Sequence, residues 1–164
     1  VVMTSEETAM GKYPVETIQE ICKVITYVQD HVETTPIPHD PQSDNPDYDA
    51  IAEAAASIAE RVDADAIICQ TASGRTARAM AAQRPALPIY SVTPNERVAN
   101  QLSLVYANRA YVREYSPEFG FDLAKELKES GVLTPRKGRD YVEVVIVSGD
   151  KDVAGTDTIK MRRI

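Results

Sequence analysis

Short apolar runs recur along this chain between segments of helical periodicity, and that alternation most constrains its fold. Ala66-Ile67-Ile68-Cys69-Gln70, Pro88-Ile89-Tyr90-Ser91-Val92 and Ala110-Tyr111-Val112-Arg113 have the length of strands, and Val142 to Val147 is apolar throughout except for Glu143. Ile51, Ala55, Ile58 and Val62 share a helical face from about Asn45 to Val62, as do Val98, Leu102 and Val105 later in the chain and Leu123 and Leu127 ahead of Gly131. Strand and helix in alternation predict a parallel sheet covered by helices on both faces, a three-layer α/β/α fold. The stretch from Ser148 to Asp157 is too short for a crossover helix, so Thr158-Ile159-Lys160-Met161-Arg162 is predicted to run antiparallel to the strand before it. With the first three strands winding outward and the fourth returning beside the first, the prediction is a five-stranded, mostly parallel sheet of order 3-2-1-4-5.

Such an order opens a crevice beyond the carboxyl ends of strands one and four, where ligands of doubly wound sheets bind. Thr71-Ala72-Ser73-Gly74-Arg75-Thr76 lines one side and Ser148 to Thr156 the other. A helix beginning near Ser73 or Gly74 would aim its unpaired amides, the hydroxyls of Thr71, Ser73 and Thr76, and the Arg75 guanidinium at one point, as a phosphate cradle requires. A serine that merely caps a helix, followed by a solvated arginine, accounts for the same residues.

Ahead of the sheet, Pro14 to His31 reads as an amphipathic helix with Ile18, Ile21, Cys22, Ile25 and Val28 on one face. The polar stretch before it, from Thr4 to Pro14, reads as a loop or helical turn closed by Gly11, with Ser5 as an N-cap and Glu6 and Glu7 as first-turn acids. Four prolines between Thr34 and Pro46 mark a linker, which divides the chain into residues 1–33, 34–46 and 47–164. Thr93-Pro94-Asn95-Glu96 has the form of a capping box with proline at the first helical position, and Ser116-Pro117-Glu118 of another helix start.

The net charge of −7 argues against broad binding to a phosphate backbone, and no apolar run approaches the length of a membrane span. The start at Val1-Val2-Met3 has no basic leader, so the expectation is a cytoplasmic protein or an excised piece of one. Cys22 and Cys69 lie in apolar surroundings without metal-ligand spacing and are expected to be reduced core residues, with no metal site. His31 and His39 have no neighbour that would make a catalytic pair, and no GxSxG turn is present to support a small serine hydrolase.

Three stretches resemble the C-terminal part of the pyruvate kinase family: Val2-Met3-Thr4-Ser5-Glu6-Glu7-Thr8-Ala9 continuing through Gly11-Lys12-Tyr13-Pro14-Val15-Glu16, then Thr71 to Ala77, then Gly155-Thr156-Asp157-Thr158-Ile159-Lys160. The first resembles the end of the family's catalytic barrel, which implies Ser5 and Glu7 as residues near the substrate, concerned with proton delivery in the parent enzyme. Glu6 stands where glycine is common in that family and Thr4 where leucine is usual. The other two resemble the allosteric effector site of the C-terminal domain. The resemblance therefore implies effector-phosphate binding by Thr71, Ser73, Gly74, Arg75 and Thr76, and a covering loop containing Gly149, Lys151, Gly155 and Thr156.

Family members that use fructose bisphosphate bring a tryptophan and an arginine to the second phosphate. This chain has no tryptophan, and the stretch before its last strand carries Asp150, Asp152 and Asp157 with Lys151 as its sole basic residue. The expected effector is therefore a monophosphate, a sugar phosphate or a nucleotide, since a second phosphate would sit among like charges. The family's magnesium- and potassium-binding residues and its substrate lysine belong to barrel strands outside this chain. The resemblance thus implies an allosteric and oligomerisation domain, a homo-oligomer on the family's tetrameric plan, and no kinase activity in isolation. A free-standing phospho-ligand binding protein of the same fold is the alternative.

Overall fold

The computed structural model describes residues 3–32, 35–37, 46–136, 138–149 and 155–164. The chain divides into two compact units, Val1–Thr34 and Thr35–Ile164.

In the first unit, α1 (Glu6–Ala9) is a single turn and α2 (Pro14–His31) a long helix with proline in its first turn. Ser5 stands at the N-cap of α1 without a side-chain capping bond, and its amide donates to Glu7 Oε2 at 3.4 Å. Helix α2 has no buried residue, and Ile18, Ile25 and Val28 on its apolar stripe are 43–47% exposed. Cys22, expected in a core, is exposed, because no residue of α2 is buried.

The second unit carries α3 (Pro46–Arg61), β1 (Ala66–Gln70), α4 (Arg75–Ala82), β2 (Ile89–Thr93), α5 (Glu96–Leu102), β3 (Asn108–Val112), α6 (Phe119–Glu129), β4 (Glu143–Ser148) and β5 (Thr158–Arg163). Its five strands lie in the order β3-β2-β1-β4-β5. The β1, β2, β3 and β4 pairings are parallel and only β4 with β5 is antiparallel, so the predicted topology is the observed one.

Alternating side chains of the central strands feed two cores. Ile67, Cys69, Val145 and Val147 face α3, α4 and α5, while Ala66, Ile68, Val144 and Ile146 face α6. Ile67, Ile68, Ile89 and Ile146 are at most 1% exposed, and each such side chain contributes about 1.5–3 kcal/mol of burial free energy. Because α3 to α5 occupy one face and α6 the other, the chain reverses its winding between β1 and β4. The crevice at that reversal is where the candidate site lies.

Two helix starts differ from the sequence reading, and a third decides between its alternatives. Thr93 does not cap α5 and Pro94 is not its first residue. Asn95 is the N-cap, and its Oδ1 accepts from the amides of Arg97 at 3.0 Å and Val98 at 3.3 Å. Thr93 remains in β2, where its Oγ1 accepts from the Asn95 amide at 3.2 Å, so pairing with β3 outcompetes the capping role. Helix α6 begins at Phe119 with Glu118 as its cap residue, later than the Ser116 start expected. Helix α4 begins at Arg75, with Gly74 at the N-cap and no side-chain capping bond, so Ser73 is not a helix cap. The third strand also begins earlier than predicted, at Asn108.

Candidate functional site

Strand β1 ends at Gln70 and α4 starts at Arg75, and the four residues between them form the turn. Thr71 is buried, and its Oγ1 accepts the Gly74 amide proton at 2.9 Å, closing the turn from inside. Gly74 has φ +81°, in the left-handed region. A Cβ there would lie 3.2 Å from Val98 Cγ1 and 3.3 Å from Leu102 Cδ2, so the backbone conformation favours glycine and α5 would have to yield slightly to any side chain. With the cap position held by a residue without a side chain, the first turn of α4 has no internal acceptor. Among the described residues, the amides of Arg75, Thr76 and Ala77 donate to no backbone carbonyl and to no side chain.

Cations gather at this end of α4. Arg75 and Arg78 are exposed, and neither pairs with a carboxylate among the described residues. The Arg78 guanidinium donates to the Ser73 carbonyl at 3.3 Å, and Ser73 itself is exposed. Amides with no described acceptor, the positive end of the α4 dipole and two guanidiniums thus occupy one corner of a chain whose net charge is −7.

The opposite wall comes from the ends of the connection between β4 and β5. Thr156 is buried, and its Oγ1 lies 2.6 Å from that of Thr76, also buried. Gly149 packs so tightly on Gly155 that a Cβ would run into the Gly155 carbonyl oxygen. The Asp157 amide donates to the Ser148 carbonyl at 3.1 Å, next to the terminal β4–β5 pair Ser148 and Thr158. Thr71, Ser73 and Gly74 of the turn and Arg75 and Thr76 of the first turn of α4 are therefore brought together, and Thr76 joins them to Thr156 by a hydroxyl contact. Gly149 and Gly155 stand at the base of the connection, and Lys151 lies outside the described residues. Ser5 and Glu7 are exposed in the first unit.

Cys69, beneath the turn in β1, has its thiol pushed up to about 12 by burial, as a reduced core cysteine should. Among the described residues no three His, Cys, Asp or Glu side chains converge as metal ligands. No helix described is long and apolar enough to cross a membrane.

At the other end of the sheet lies a feature that sequence reasoning passed over. The Asp65 carboxylate accepts the amide protons of Arg136 at 2.9 Å and Glu143 at 2.8 Å, and Arg139 Nη2 lies 3.8 Å away. Glu143, the one charge in the apolar run, is buried and paired with Arg139 at 3.6 Å and Arg163 at 3.1 Å. The signal available was the acid itself, since a carboxylate in a strand buried on both faces needs a cationic partner.

The family profile described as "Pyruvate kinase, alpha/beta domain" matches residues 49–161. A pyruvate kinase of Borreliella burgdorferi is 33% identical over 159 residues, covering 91% of this chain and 31% of that protein. One from Agrobacterium vitis is 37% identical over 108 residues, covering 64% of this chain and 22% of its own length. Among solved structures, Cryptosporidium parvum pyruvate kinase in complex with ADP superposes with a TM-score of 0.77 at 25% identity, over 99% of this chain and 33% of that one. The chain spans about a third or less of the length of these relatives. With the profile covering most of the residues and a relative 33% identical over 91% of the chain, the chain belongs to the pyruvate kinase family, as its C-terminal alpha/beta domain.

Proposed function

We propose that this domain is the allosteric and oligomerisation part of a pyruvate kinase and binds a phosphorylated effector at the Thr71–Thr76 turn. The observation that carries the reading is the first turn of α4. Its three amides without a described acceptor, its left-handed glycine cap and Arg75 offer an anion several donors at no cost in broken bonds. The effector is a monophosphate, a sugar phosphate or a nucleotide. For a second phosphate the sequence before the last strand offers one lysine, Lys151, against Asp150, Asp152 and Asp157, and the chain has no tryptophan to stack on it. Calorimetric titration is expected to show saturable binding of ribose 5-phosphate or AMP and weaker binding of fructose bisphosphate. Tighter binding of the bisphosphate would overturn the preference, and no binding of any of the three would overturn the reading.

In the parent enzyme the reaction is phosphoryl transfer from phosphoenolpyruvate to ADP, with Mg2+ and K+ held elsewhere in the longer protein. Such a transfer requires metal and cationic side chains at the reacting phosphate. Ser5 and Glu7 belong to the substrate end of the catalytic barrel only in that context, and alone they have no reacting centre to serve. The apolar stripe of α2 is assigned to packing against the missing barrel, in keeping with relatives about three times longer. The outer faces of α3 and α5 are assigned to pairing with a second copy. A coupled assay of this chain with phosphoenolpyruvate, ADP, magnesium and potassium is expected to give no turnover above blank; clear turnover would refute the assignment.

A further inference from the structure

We propose that Thr156 is a positioning residue for the anion site, turning the Thr76 hydroxyl proton toward the bound phosphate. The inference rests on reading the Thr71–Thr76 turn as a phosphate site and adds a residue that acts through another. The two hydroxyl oxygens are 2.6 Å apart, and the residues are 6% and 4% exposed. Thr76 comes from the first turn of α4 and Thr156 from the approach to β5, 80 positions along the chain.

A threonine hydroxyl carries one proton and two acceptor lone pairs. In a bonded pair, one hydroxyl donates to the other, so one proton of the two is left for a third partner. If Thr76 donates to Thr156, the turn presents lone pairs to an anion, which repel it. If Thr156 donates to Thr76, the Thr76 proton is free on the first turn of α4, with the amides of Arg75, Thr76 and Ala77 that have no acceptor among the described residues. The unprotonated oxygens of a phosphate accept and do not donate, so a phosphate oxygen facing Thr76 selects the second arrangement. A hydroxyl that accepts one bond is also a stronger donor in the next. The pair therefore acts as a two-step relay ending on the anion.

Thr156 is held in place by the backbone around it rather than by the ligand. Gly149 packs against the Gly155 carbonyl, and Asp157 donates to Ser148 at 3.1 Å, which closes the β4–β5 pairing beside it. Turning a proton between two fixed oxygens requires no movement of the chain.

The test is calorimetric titration of the full chain with inorganic phosphate and with ribose 5-phosphate, alongside thermal unfolding of each variant. Thr156→Val keeps the shape and removes the hydroxyl, and is expected to weaken both probes about tenfold, the scale of one hydrogen bond to a charged group. Thr156→Ser restores the hydroxyl without the methyl and is expected to bind within about twofold of the original chain. The double variant T76V/T156V is expected to bind no more weakly than Thr76→Val alone, because the two groups act in series. Wild-type affinity in Thr156→Val, or equal weakness in Thr156→Ser and Thr156→Val, overturns the proposal and leaves the phosphate site standing. Additive losses in the double variant overturn it as well. Absence of binding in the unaltered chain overturns the phosphate site and the relay together.

Discussion

Replacing Arg75 with glutamate is expected to abolish binding of ribose 5-phosphate and leave the fold intact. Arg75 is exposed at the first position of α4 and pairs with no carboxylate among the described residues, so no ion pair described in the folded chain is lost. Surface changes of this kind usually alter stability by less than about 0.5 kcal/mol. At the site the effect is large, because a charge-assisted bond of about 1.5–3 kcal/mol is lost and a like charge is placed beside a dianion. Affinity is expected to fall by roughly 100-fold or more in a calorimetric titration, with the thermal midpoint nearly unchanged. Unchanged affinity would return Arg75 to being a surface charge.

Replacing Asp65 with alanine is expected to do the reverse, destabilising the domain without a direct effect on the anion site. The Asp65 side chain is 2% exposed, and removing it strands the buried amide of Glu143 and the amide of Arg136. It also leaves Arg139, 17% exposed, with one fewer counter-charge in a cluster that includes the buried Glu143. Breaking such a pair from one side costs about 3–5 kcal/mol, because the partners remain desolvated. For a domain of this size, that corresponds to a fall of about 10 °C or more in the thermal midpoint. A loss below about 1 kcal/mol would show that water takes over the acceptor role.

The two ends of the sheet differ in how far the sequence reveals them. Residues 66–70 announce a strand by an apolar run bounded by polar residues, and the structure places β1 on those residues. The antiparallel pairing of the last two strands followed from the length of their connection, which admits a hairpin and no crossover. The rest of the order rested on taking the first three strands to wind outward and the fourth to return beside the first. That topology placed the Thr71–Thr76 turn and the approach to β5 at one crevice, and Thr76 and Thr156 do meet there. The hydroxyl contact itself was not legible, because 80 intervening positions carry no local pattern.

Local competition explains the misplaced helix starts. Thr93 and Asn95 are both good caps, and the sequence alone does not say that β2 keeps Thr93 for its own pairing with β3. A capping Ser73 was the alternative to a phosphate cradle, and Gly74 holds the cap position instead, in a left-handed conformation that disfavours any other residue. The Asp65 and Glu143 cluster was hidden for a different reason. Its members come from the starts of β1 and β4, the end of β5 and the stretch before β4, and they converge only once the sheet is assembled.

The phosphate site at the start of α4 is tested most directly by amide nuclear magnetic resonance of the isotope-labelled chain during titration with ribose 5-phosphate. Saturable shifts concentrated at the amides of Ser73 to Ala77, with a smaller response at Thr156, are the expected result. Saturation with those amides unmoved, or shifts confined to another part of the domain, would contradict it.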